Sequence, residues 1–163
     1  MPAARCFTVS KTEQFAMEID PLLGPVVVLV AWTLVMMIWM AAARYPAMKD
    51  AGIDVKTRVG GRGQDLEGVV PASVQWKAHN YMHLTEQPTI FYAIVFALIL
   101  MGASAMPMSI YLAWGYTVLR IGHSLIQATS NIVKYRFSLF LLSSLCLLGL
   151  TAQALYFVAD SIF

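Results

Sequence analysis

The sequence predicts an all-α integral membrane protein, a four-helix bundle of membrane-spanning helices. Three observations predict it. First, 59% of the 163 residues are hydrophobic, only 12% are charged, and the mean hydropathy is +0.67; soluble domains carry about 25% charged residues. Second, the chain contains charge-free apolar runs near the roughly 20 residues that a helix needs to cross the hydrocarbon core. Third, those runs lack the strict alternation of a β-barrel, the other arrangement that pairs all backbone groups in lipid. The length suits one compact domain.

Taken in order, residues 1–20 mix both charge signs and have no apolar core of signal-peptide length. They read as a disordered N-terminal extension, or as an upstream start, with Met17-Glu-Ile-Asp-Pro21 a natural beginning. The four-span domain is residues 21–163. Pro21 to Ala43 carries no charge and is followed by Arg44, giving a first span over about 21–43. Gln87 to Leu119 is also uncharged but too long for one span, and Gly102-Ala-Ser-Ala-Met-Pro107 divides it. The result is helices over about 80–102 and 108–130. Phe137 to Ala159, closed by Asp160, gives the fourth over about 137–159. Gly60-Gly-Arg-Gly63 has glycines but no strand-to-helix context, so it reads as a flexible loop rather than a phosphate cradle. Cys6 and Cys146 suggest neither a disulfide framework nor a metal spacing.

Basic residues set the orientation. Loop 44–79 carries Arg44, Lys49, Lys56, Arg58, Arg62 and Lys77, and connection 131–136 carries Lys134 and Arg136. Both loops are expected on the cytoplasmic side and both termini on the other. The far N-terminus holds only Arg5 and Lys11.

Two polar clusters interrupt the apolar pattern. His79, His83 and Glu86 fall at i, i+4 and i+7 at the start of helix two, within an arc of about 60°. Arg120, His123 and Gln127, at i, i+3 and i+7 of helix three, share a similar arc. An unpaired arginine in an apolar span costs at least a few kcal/mol, roughly 3 on insertion scales. Glu86, the only acid between Glu67 and Asp160, is its expected partner. The pair either fixes helix packing alone or also lines a polar pocket. A metal site built from His79, His83, Glu86 and His123 is an alternative permitted by the spacing. No basic stripe with interleaved aromatics points to nucleic acid.

The run Trp76 to Tyr92, with Glu86-Gln-Pro88 and Ile90-Phe-Tyr92, resembles the helix-two signature of the MAPEG family, the membrane-associated proteins in eicosanoid and glutathione metabolism. Leu119-Arg-Ile-Gly-His-Ser-Leu-Ile-Gln127 resembles its helix-three signature, and Tyr45 to Asp54 resembles a stretch of bacterial members. The resemblance covers roughly residues 21–160 and implies a left-handed bundle assembling as a homotrimer, in a bacterial inner (plasma) membrane. It implies glutathione as co-substrate, used in transfer to, or peroxide reduction of, a lipophilic small molecule. His79, His83, Glu86, His123 and Gln127 are the implied glutathione-binding residues, with Glu86 receiving the amino group. Arg120, Lys134 and Arg136 are the implied catalytic cations. The family's helix-two arginine and asparagine are replaced here by His79 and His83. That departure leaves a second reading, a non-catalytic scaffold or sensor on the same bundle.

Overall fold

In a computed structural model, residues 19–103 and 106–162 are described. The expectations for residues 1–18, including Arg5, Cys6 and Lys11, lie outside the described residues. Four long helices form the described fold: α1 Leu23–Asp50, α2 Ala72–Leu100, α3 Pro107–Thr129 and α4 Val133–Ile162. One 3₁₀ turn, Gly63–Leu66, sits in the loop between α1 and α2.

Each helix coincides with an expected span, and three run well past its polar end. α1 continues through Arg44 to Asp50, α2 begins at Ala72 rather than near 80, and α4 begins at Val133 rather than near 137. Hydropathy marks where lipid contact stops, whereas a helix stops where its backbone loses partners. The extra turns of α2 follow Pro71, whose fixed φ suits a helix start.

Buried positions recur every seven residues. Leu22, which caps α1, Leu29 and Met36 do so, as do Leu84, Phe91 and Leu98 along α2 and Ser143 and Leu150 along α4. A heptad of buried positions is the spacing of a left-handed bundle, in which side chains interlock at shallow crossing angles. The outward faces are apolar as well: Val27, Leu34, Ile38, Leu141, Leu148 and Leu155 are all exposed. A helix apolar on every side is one solvated by lipid.

α3 departs from this pattern. Its buried face carries Ser109, Tyr116, Thr117, Arg120, His123, Ser124 and Gln127 beside Ala113 and Ala128, while Tyr111, Val118 and Leu125 face outward. Consequently α1, α2 and α4 are apolar enough to cross a membrane by composition and α3 falls short. At 23 residues it is about 35 Å long, still enough to span.

The buried polar groups tie the helices together. Ser124 Oγ accepts from Trp32 Nε1 at 2.9 Å and from Asn80 Nδ2 at 2.8 Å, joining α1, α2 and α3. Thr117 donates to the Pro25 carbonyl, Gln87 to Ser144, and Ser109 to Gln153. The Phe91 and Tyr116 rings stack with centroids 4.3 Å apart. Between membrane helices apolar burial supplies little drive, so such bonds and close backbone approach matter most.

α3 and α4 pack most extensively, and Gly115 and Gly149 permit it. A Cβ on Gly149 would lie 2.9 Å from Leu112 Cδ1, and one on Gly115 3.3 Å from Cys146 Sγ. Gly149→Ile is therefore expected to destabilise the fold by about 1–3 kcal/mol through overpacking. Thermal unfolding in detergent would measure it, and an unchanged midpoint would refute the close α3–α4 seam.

Candidate functional site

A cavity of about 290 Å³ opens between α2, α3 and α4 at the loop end of the bundle. His83 of α2, His123 and Gln127 of α3, and Arg136 of α4 bring the polar groups to it. Val133, Phe137 and Phe140 supply an apolar wall. The His83 and His123 rings lie 5.5 Å apart, centroid to centroid, and both approach Phe140.

Arg120 stands directly behind this wall. Its side chain is fully buried, its guanidinium carbon is 5.9 Å from the Phe140 ring centre, and Nη2 donates to the His83 carbonyl at 2.8 Å. Among the described residues Nε and Nη1 have no partner, nor do His83 Nδ1 and Gln127 Oε1. Buried polar atoms in native proteins are usually satisfied. A group of them beside one cavity, with a fixed positive charge, has the chemistry to receive a polar, anionic ligand.

The expected pairing of Arg120 with Glu86 does not form. Glu86 is exposed on the outer face of α2, and the one ion pair within 4 Å among the described residues is His79 with Glu67. The physical reason is rotational. Glu86 and His83 differ by about 60° around the helix, enough to send one outward and the other into the bundle. His79 likewise leaves the cluster, drawn to Glu67 in the α1–α2 loop. The residues of the metal alternative do not gather either: among the described residues no three His, Cys, Asp or Glu side chains converge.

Of the eight expected site residues, four line one cavity (His83, His123, Gln127 and Arg136), and Arg120 adjoins it. Lys134 is exposed and does not reach it. Arg136 is aimed inward by Asn131, whose Oδ1 accepts from Nη1 at 2.7 Å. Asn131 adopts φ of 52°, the left-handed conformation that asparagine tolerates at helix ends, and its amide donates back to the Ile126 carbonyl.

Sequence reasoning passed over Asn131, Asn80 and Gln75. The signals were present. Asn131 follows the last apolar turn of α3, where a C-terminal cap is expected. Asn80 lies four residues before the Leu84, Phe91, Leu98 stripe, so a polar group interrupts a buried face. Gln75 has no comparable signal, since its partners Arg44 and Gly63 come from distant sequence.

These features define an integral membrane helical bundle with a polar, cationic cavity at one end. The model of the MAPEG family matches residues 22–156, and the chain belongs to that family. No match was found among curated proteins or solved structures.

Proposed function

We propose that the protein is a glutathione-dependent transferase or peroxidase acting on a lipophilic electrophile. The observation that carries this reading is the buried Arg120 guanidinium, with two unpartnered nitrogens, beside a cavity that also receives Arg136. Glutathione offers two carboxylates and a thiol. The thiol has a pKa of about 8.5, and the thiolate is the nucleophile. A nearby fixed cation favours that anion. Arg136, at the mouth, would hold the sulfur; Arg120, buried behind Phe140, would meet a carboxylate once that ring turns aside; His83, His123 and Gln127 would meet the peptide groups. Phe137 and Phe140 would guide the electrophile in from the bilayer. In conjugation the thiol proton passes to water, the sulfur electron pair forms the new S–C bond, and the leaving group departs with its own pair.

A volume of about 290 Å³ lies at the lower edge of small-molecule sites, which run about 300–1,000 Å³. Part of a tripeptide would therefore project beyond it. Glu86 stands exposed among Thr85 and Thr89 on an outward stripe of α2. A carboxylate facing out at membrane depth favours a protein neighbour over lipid. Both points support a homotrimer in which an adjacent subunit completes the site and Glu86 meets the glutathione amino group.

Calorimetric titration of the detergent-purified protein with glutathione tests the reading, followed by conjugation of a halogenated nitroarene. Stoichiometric binding with turnover is expected. Absence of binding at millimolar glutathione would sink it, and binding without turnover would favour a sensor. Orientation has its own test: a reporter at the C-terminus should read as non-cytoplasmic and one inserted at Gly61 as cytoplasmic. The reverse pattern would remove the site from the cytoplasmic thiol pool.

A further inference from the structure

A second cavity, of about 250 Å³, lies outside the bundle where loop 51–71 folds back on the end of α1. Three arginines, Arg44, Arg58 and Arg62, line it together with Gly60 and Gly61. We propose that this cavity binds the phosphate of an anionic phospholipid headgroup.

Its construction sets it apart from a solvated charged loop. Arg44 is held in place: Nε and Nη2 donate to Gln75 Oε1 at 3.2 and 2.8 Å, and Nη2 also donates to the Gly63 carbonyl at 2.9 Å. Gln75 is itself buried. A Cβ at position 63 would lie 2.8 Å from Arg44 Nη1, so a larger residue there would displace the guanidinium from this arrangement. Gly60 and Gly61 adopt φ of 71° and 104°, and among the described residues their amides have no hydrogen-bond partner. They are free to donate to an anion.

The local charge is unbalanced. No carboxylate lies within 4 Å of these arginines among the described residues. The neighbouring acids are engaged elsewhere: Asp65 Oδ2 accepts from the Arg62 amide at 2.7 Å, and Glu67 accepts from Gln75 and pairs with His79. Guanidinium forks match phosphate oxygens bidentately, which a lysine ammonium does not.

Position selects the source of the phosphate. The apolar run of α1 ends at Ala43, so Arg44 stands where hydrocarbon gives way to headgroups. Met48, Val55 and Leu66 form an apolar side to the cavity, suited to the ester arms beside a lipid phosphate. Basic clusters flanking a membrane helix on its cytoplasmic side attract anionic lipid at about 1 kcal/mol per residue.

The test is lipid binding to the full-length protein in neutral detergent, read by native mass spectrometry and by titration with phosphatidylglycerol or phosphatidylcholine. Phosphatidylglycerol should bind at least about tenfold more tightly than phosphatidylcholine. Arg58→Gln with Arg62→Gln should weaken it by about 25-fold, fivefold per arginine. Lys49 and Lys56 line a different cavity, so Lys49→Gln with Lys56→Gln should lose less than about threefold through screened charge alone. Equal losses in the two doubles would show diffuse attraction and overturn the site. Displacement of bound phosphatidylglycerol by inorganic phosphate at equal concentration would show that the ligand is a soluble phosphate and overturn the lipid assignment. The Arg58 and Arg62 side chains are exposed and make no hydrogen bond among the described residues, so their removal should leave the fold intact. Should the double variant nonetheless unfold, each single replacement reads the same fivefold loss.

Discussion

Arg120→Met should abolish glutathione binding while leaving thermal stability unchanged or higher. A buried guanidinium without a carboxylate partner is held in the bundle against its own desolvation. Within the subunit, its hydrogen bond is to the His83 carbonyl, which the helix already pairs with the amide four residues on. Methionine fills similar volume, so no charge is stranded and no cavity opens. Replacing buried ionic groups by apolar ones is often neutral or stabilising by about 1–4 kcal/mol. A ligand carboxylate deprived of its cation loses about 3 kcal/mol, or more than about a hundredfold in affinity. Calorimetry and thermal unfolding in one detergent measure both. Retained binding with a collapsed melting temperature would make Arg120 a packing device. Glu86→Leu should act independently of Arg120→Met, since the two side chains do not meet.

Arg136→Gln should slow conjugation at pH 7 by about ten- to a hundredfold and move the pH–rate curve upward by about 1–2 units. The sign follows from the ionisation. With the cation present the thiolate persists to lower pH; without it the rate rises only as pH approaches the free thiol's own pKa. Above pH 9 the variant should therefore regain most of its activity. A uniform loss at every pH would assign Arg136 to binding rather than to thiolate formation. Lys134→Gln, at an exposed position, should change neither rate nor profile.

The helices could be read from the sequence because lipid imposes a crude and general demand. Charge-free runs of about 20 residues leave little alternative to a spanning helix. Their ends could not, because Arg44 to Asp50 and Ala72 to His79 are helical for local reasons invisible to hydropathy. The polar face of α3 was equally plain: Arg120, His123 and Gln127 at i, i+3 and i+7 do share the buried side. The same geometry misled on α2. His79, His83 and Glu86 lie within an equally narrow arc, yet go respectively to Glu67, to the cavity and outward. A face is as wide as the neighbours covering it, and the sequence of one helix does not state that width. Arg136 and Lys134, two residues apart, were separated by Asn131, whose left-handed backbone no periodicity reveals.

The inverted polarity of α3 bears on how the chain is made. On insertion scales an arginine at mid-helix costs about 2.5–3.5 kcal/mol, and His123, Gln127 and Ser124 add to it. A nascent chain ending at Thr129 would leave α3 poorly able to enter lipid unaided. α2 carries partners for it, Asn80 and the His83 carbonyl. α4 follows after only Ser130, Asn131 and Ile132, a link so short that the two helices must enter as a hairpin. The expected order of biosynthesis is therefore α1 and α2 first, with α3 entering together with α4 once α2 can cover its polar surface.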